Sequence, residues 1–210
     1  MAAPLSADYL APTFAMWALM MVAMMLPSAS PMILIYARVA RHNFGAAAGS
    51  SIALFALSYV LVWSVFSLAA AFAQALLVHS GIVHSMRLQV GDGRLAGALL
   101  IAAGFYQLTP LKAACLEKCR SPLAFLSRGI RPGAAGALRL GIAHGLYCLG
   151  CCWVLMLLLF VGGVMNLAWV AGLALLVAAE KLLPWRGVRL ALATLLLAAG
   201  AALLAGASIG

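Results

Sequence analysis

The sequence predicts an all-α fold, a polytopic membrane bundle of six transmembrane helices, on three observations. Of the 210 residues 67% are hydrophobic, only 8% are charged, and the charged ones stand in short clusters between long apolar runs. Soluble domains are roughly half apolar and a quarter charged. With four acidic residues, Asp8, Asp92, Glu117 and Glu180, and a mean hydropathy of +1.14, a soluble enzyme, a disordered chain and a secreted disulfide scaffold are excluded. The net charge of +9 is not a nucleic-acid footprint, because the basic clusters fall between apolar segments, as membrane topology requires.

Each crossing takes about 20 mostly apolar residues. A first span runs from about Pro12 to Tyr36, and Pro27 and Pro31 are expected to kink it and free carbonyls in the interior. A second covers about Ser50 to Leu77. A third, from about Leu95 to Thr109, is broken at Pro110, where a new helix opens. The uncharged run from Leu140 to Ala179 is too long for one helix, and Gly162, Gly163 and Asn166 supply turn chemistry at its middle. It reads as the fourth and fifth spans. The sixth, about Val188 to Ala205, follows the punctuation of Pro184 and Gly187. No Lys or Arg precedes Arg38, so the first segment lacks the basic start of a cleavable signal and is expected to be retained as a helix. Residues 1–210 form a single domain, with no internal repeat that argues for inverted transporter halves.

Sorting the connections by side puts Arg38, Arg41, Lys112, Lys118, Arg120, Arg128, Arg131, Arg139, Lys181, Arg186 and Arg189 on one face and Arg87 and Arg94 on the other. Positive charge stays cytoplasmic. Both termini are therefore expected on the outer, periplasmic side of a cell inner membrane.

The densest chemistry is GIAHGLYCLGCCWVLM, which holds His144, Cys148, Cys151, Cys152 and Met156. At about 100° per residue the first three share one helical face and the last two flank it. Thiolate, thioether and imidazole suit Cu(I) and, less specifically, zinc. A buried Cys also serves as a small hydrophobe and a buried His as a carbonyl partner. Three Cys and a His within nine residues of an apolar helix nevertheless point to a metal or redox site.

Cys115 and Cys119 stand one turn apart in LTPLKAACLEKCRSP. Lys112, Lys118 and Arg120 surround them with positive charge, which favours the thiolate that metal binding and disulfide exchange both need. A reducing cytoplasmic side disfavours a structural disulfide. In the first span Met16, Met20 and Met24 form an axial stripe with Met21 and Met25 beside it. Methionine is ordinary core filler, but Met24 and the Cys148–Cys152 turn come out at similar depth, about 15 to 21 Å from the cytoplasmic ends. Thioethers and thiols meet if the first and fourth helices pack. Glu180 needs a counter-charge at such depth, from Lys181, Lys112 or a metal. His79, His84 and Met86 cluster in an outer loop at a spacing poor for ligation.

The patterns MxxxMMxxMMLPSxxPM, LTPLKxxCLxxCRSP, GxxHGxxCxGCCWxLM and a late AAEKLLP resemble a bacterial family of predicted metal-binding integral membrane proteins, sometimes labelled copper chaperones. The resemblance covers nearly the whole chain. It implies metal handling through the matching positions, among them Met20, Met21, Met24, Met25, Lys112, Cys115, Cys119, His144, Cys148, Cys151, Cys152, Met156, Glu180 and Lys181.

The function expected from these residues is binding of a soft metal, Cu(I) before zinc, and its transfer as a chaperone or transporter component rather than as an enzyme. Cys148, Cys151 and Cys152 form the central site with His144, Met20, Met24 or Met156, and Cys115 and Cys119 form an exchange site. Lys112 and Lys181 supply charge, because two thiolates with Cu(I) are net negative in a low dielectric. Expected partners are the lipid bilayer and a copper carrier or another metalloprotein, and no nucleic acid. The alternatives are a membrane thiol-disulfide oxidoreductase using Cys148 and Cys151, against which in-helix disulfide geometry speaks, and a non-catalytic assembly partner of a metalloprotein. Haem is weaker still, with only His144 deeply placed.

Overall fold

The chain begins with α1 (Ala7–Phe44), whose first turn carries Asp8 and whose last carries Arg41 and His42, each charge opposing the local helix dipole. The computed structural model describes residues 5–83, 90–183 and 186–206. His84, Met86, Arg87 and Pro184, named in the sequence reading, lie outside the described residues.

α1 continues through Pro12, Pro27 and Pro31. Pro31 deprives the Pro27 carbonyl of its helical donor, and the Ser30 hydroxyl donates to that carbonyl at 2.8 Å. Gly45, at φ +52°, and a single 3-10 turn, Gly45–Ala47, lead into α2 (Ala48–His79). Trp17 Nε1 donates to Gln74 Oε1 at 2.7 Å. A straight helix would hold those positions about 85 Å apart, so α1 and α2 fold back on each other as a hairpin.

α3 (Gly93–Leu108) is capped by Asp92, whose side chain accepts from the Arg94 amide at 2.8 Å. Thr109 is extended, Pro110 takes the first helical position of α4 (Pro110–Arg120), and the two helices meet at a 64° bend. The proline break expected in the third apolar segment is thus present. The residue before a proline is driven out of the helical region, and proline itself is pre-set for a helix start. α5 (Pro122–Gly129) follows, then α6 (Ala134–Leu157) and the one-turn α7 (Leu159–Gly162). Gly163 turns the chain at φ +88°, and Asn166 caps α8 (Leu167–Leu182) by accepting from the Trp169 amide. α9 is Arg186–Leu204.

Small residues let three helix pairs approach closely, a common device where lipid cannot drive helices together. A Cβ on Gly141 of α6 would lie 2.0 Å from Ser58 Oγ and 2.4 Å from the Phe55 carbonyl of α2. Between α3 and α9, Gly97 and Gly200 each face the other's carbonyl, at 2.9 and 2.7 Å from the missing Cβ. Gly150 of α6 meets Cys115 Sγ of α4 at 2.8 Å in the same sense. Gly141→Val is expected to lower the stability of the detergent-solubilised protein by at least the roughly 1–3 kcal/mol of an overpacked core. Gly172→Ala, with open space around it, leaves stability unchanged or raises it. Thermal unfolding followed by helical circular dichroism reads both.

Among the described residues three helical stretches are long and apolar enough to cross a membrane, Ala7–His79, Ala134–Gly162 and Gly187–Leu204, and the bent α3–α4 pair makes a fourth if it counts as one span. The first stretch is the α1–α2 hairpin, with arms of 38 and 32 residues. α8 has 16 residues, about 24 Å, short of a hydrocarbon core of about 30 Å. The long helices turn apolar side chains outward: Leu19 is 72% exposed, Val65 63%, Phe105 61% and Leu195 61%. Lys112, Lys181, Glu180, Gln107, Gln74 and His144 are buried. This distribution inverts that of a soluble protein.

Candidate metal centre

The centre is built where α6 turns its cysteines toward α1, α2, α4 and α8. Gly141 and Gly145 bring α6 against α2, so the next turn, Cys148 to Cys152, faces the interior, and all three cysteines are buried. Their thiols are free. Cys151 Sγ and Cys152 Sγ both donate to the Cys148 carbonyl at 3.0 Å, as thiols on a helix do when no other acceptor competes.

Each sulfur has a different neighbour. Cys148 Sγ lies 2.9 Å from Lys181 Nζ of α8 and 3.1 Å from the Tyr59 hydroxyl of α2. Cys152 Sγ lies 3.9 Å from Met25 Sδ of α1. Cys119 of α4 packs against the edge of the same buried cluster as Cys151. Lys181 Nζ also donates to Ser28 Oγ at 3.0 Å and stands 4.0 Å from Met25 Sδ. Ser28 in turn donates to the Met25 carbonyl, which Tyr59 also reaches. Among the described residues no three His, Cys, Asp or Glu side chains converge as a ready-made metal site. The sulfur donors lie in or against one buried cluster that α1, α4 and α6 share, with the Lys181 ammonium beside Cys148 and Met25.

The two buried lysines divide their work. Lys112 Nζ pairs with Glu180 Oε2 at 2.7 Å, both side chains essentially without solvent. Arg120 donates to the Glu180 carbonyl through Nε, at 2.7 Å, and through its terminal nitrogen. The pairing of Glu180 with Lys181 or Lys112 left open by the sequence is resolved in favour of Lys112, because Lys181, the next residue along α8, points toward the sulfurs. Lys112 and Arg120 are likewise turned to Glu180 rather than toward Cys115 and Cys119, so two of the three cations expected around that pair fasten α4 to α8 instead, and Lys118 is exposed. Cys115 Sγ rests on Gly150, and Tyr106 donates to the Gly150 carbonyl.

His144 stands one turn before Cys148 in an aromatic box. Its ring stacks on Tyr59 at 5.3 Å and on Phe55 at 6.1 Å, with Phe125 at 5.9 Å, and neither nitrogen has a hydrogen-bond partner among the described residues. Met24 and Met156 are buried in the main apolar cluster and Met20 packs against its edge. Met25, beside the stripe in sequence, is the methionine that reaches a cysteine. Tyr59 belongs to no motif and Ser28 is only one letter of the first pattern in the sequence reading, and the fold alone places both beside the sulfurs.

The family model described as PpoB2, copper chaperone, matches residues 14–204. The chain belongs to this family. The match covers every helix named here, including the four that surround the sulfurs, and it carries the copper-chaperone part of the resemblance read from the motifs. Comparison with curated proteins and with solved structures found no match.

Copper in such a family is cargo, and the donor set suits it. Thioether and thiol are the ligands that select Cu(I). With metal–sulfur bonds of about 2.3 Å, a separation like that of Met25 and Cys152 would subtend roughly 115° at the ion, near a trigonal arrangement.

Proposed function

We propose that the protein is a multi-pass protein of the bacterial inner membrane that takes Cu(I) onto the sulfurs between α1, α4 and α6 and hands it to a copper carrier or another metalloprotein. The observation that carries this reading is the buried meeting of Cys152 with Met25 and of Cys148 with Lys181. Cu(I) with two thiolates carries one net negative charge, and the Lys181 ammonium offsets it without any external ion. Cys148, Cys151 and Cys152 are the central donors, joined by Met25 and, within the same core, by Met20, Met24, Met156 and His144. Cys119, packed against the buried cluster that holds Cys151, and Cys115, beside Gly150, are the exchange site through which the ion enters or leaves. Successive sulfur neighbours favour stepwise transfer over permanent storage, because each step replaces one soft donor by another.

Membrane insertion rests on the apolar outer faces of the long helices and on the charged side chains sequestered inside, Lys112, Lys181 and Glu180. The six-span topology with both termini periplasmic rests on the charge tally. In it α3 and α4 together make one broken span, and α8 is a short one completed by its neighbours.

A second reading, the thiol-disulfide oxidoreductase, is favoured by one observation, the packing of Cys119 of α4 against the buried cluster of α6 that holds Cys151, which makes Cys119 and Cys151 a candidate pair. This pair replaces the Cys148 and Cys151 pair suggested by the motif, since those two lie on one helix. Protein purified in detergent under reducing conditions separates the readings. About one Cu(I) per chain, lost in Cys148→Ser and Cys152→Ser, supports copper handling. A metal-free protein that reversibly forms a Cys119–Cys151 disulfide supports redox chemistry instead. Copper flux in proteoliposomes would make the protein a transporter component, and bound copper without flux a chaperone.

A further inference from the structure

A second site lies at the basic end of the bundle and shares no sulfur or imidazole donor with the sulfur centre. Lys118 of α4, Phe125 of α5, Arg131 of the α5–α6 connection, and Arg139, Leu140 and Tyr147 of α6 line a cavity of about 260 Å³. That is room for about nine waters at their liquid volume, enough for a phosphate with a glycerol attached. Three cations face this space and no carboxylate does. Glu180 is committed to Lys112, Glu117 is exposed on α4 outside the lining, and Asp8 and Asp92 stand at the starts of α1 and α3. Lys118, Arg131 and Arg139 are exposed and make no ion pair among the described residues.

We propose that this cavity binds the phosphate of an anionic glycerophospholipid. Two guanidiniums and an ammonium around one concavity repel each other until an anion joins them, and guanidinium matches phosphate oxygens in a fork. Tyr147, held edge-on by Phe125 at 6.0 Å, presents a phenol at the same wall. Inorganic phosphate would satisfy the same cations. The surroundings favour the lipid: Leu123 is 69% exposed, Leu146 55%, and Leu138 and Ile142 are exposed along α5 and α6. These apolar side chains offer acyl chains a path beside the headgroup site, and basic pockets at helix ends are suited to anionic lipid. The proposal rests on the membrane part of the function proposed above and not on copper.

Native mass spectrometry of the detergent-purified protein tests it, with phosphatidylglycerol or phosphatidylcholine supplied as probe. Phosphatidylglycerol is expected to be retained and phosphatidylcholine not. Arg131→Gln and Arg139→Gln should each weaken retention by about fivefold, the worth of one basic residue near a lipid surface. Arg94→Gln, at the start of α3, should not, and copper loading should be the same in all three variants. Equal retention of both lipids, or retention indifferent to Arg131 and Arg139, overturns the proposal. So does binding of inorganic phosphate with no affinity for the lipid. Release of the protein from membranes by alkaline carbonate overturns the membrane reading itself, a failure distinct from loss of headgroup preference.

Discussion

Lys112→Met is expected to destabilise the protein by about 3–5 kcal/mol, the cost of leaving one partner of a buried ion pair uncompensated. Glu180 has no solvent to turn to, and Lys112 Nζ, at 2.7 Å, is its side-chain partner. The damage should spread, since Glu180 also holds α4 through the Arg120 contact to its carbonyl, and α4 carries Cys115 and Cys119. Titration with a denaturing detergent in mixed micelles, followed by helical circular dichroism, measures the loss. The double substitution Lys112→Met with Glu180→Met should recover most of it, because two apolar side chains need no compensation. If the double variant is as unstable as the single one, the loss comes from the missing pair itself and not from an uncompensated charge.

Lys181→Met is expected to weaken Cu(I) binding by about 3 kcal/mol, roughly a hundredfold or more. Its ammonium stands 2.9 Å from Cys148 Sγ, where it offsets the charge of a dithiolate Cu(I) complex in an interior that water does not screen. Competition with a Cu(I) chelator of known affinity gives the ratio directly. Lys181→Arg keeps the charge and should retain more affinity than the methionine variant. Unchanged affinity in Lys181→Met would mean that the ion is held by neutral sulfur, for which Met25 and the methionine stripe are the donors at hand.

Several features of the site were legible before the fold. The Cys148, Cys151 and Cys152 turn, the Cys115 and Cys119 pair and the lysine–glutamate motif are local patterns, and helical periodicity alone says which of their members share a face. The break at Pro110 and the turn at Gly162, Gly163 and Asn166 were legible for the same reason: proline geometry, glycine at positive φ and an Asn cap act over a few residues. Tyr59 was not, and neither was the choice of Met25 among the methionines of α1 or a role for Ser28. Nothing in the spacing of α1 says which side of a methionine-rich helix turns inward, and a tyrosine in α2 carries no mark of a neighbour 89 positions away. The expected involvement of Lys112 and Arg120 with the α4 cysteines differs from the structure because a charged side chain has long reach. Its partner is set by what lies beside it in space, here Glu180.

Composition and periodicity by themselves determined that this chain is helical, apolar on its outside and rich in soft donors, because those properties are sums over local residues. Only the tertiary structure decided that the donors of α1, α4 and α6 stand beside one another, that Lys181 faces sulfur, and that Lys112 faces Glu180. Those pairings join residues far apart in the chain, and their energies depend on close approach between helices, which glycine at Gly141, Gly145 and Gly150 permits and which no single segment encodes.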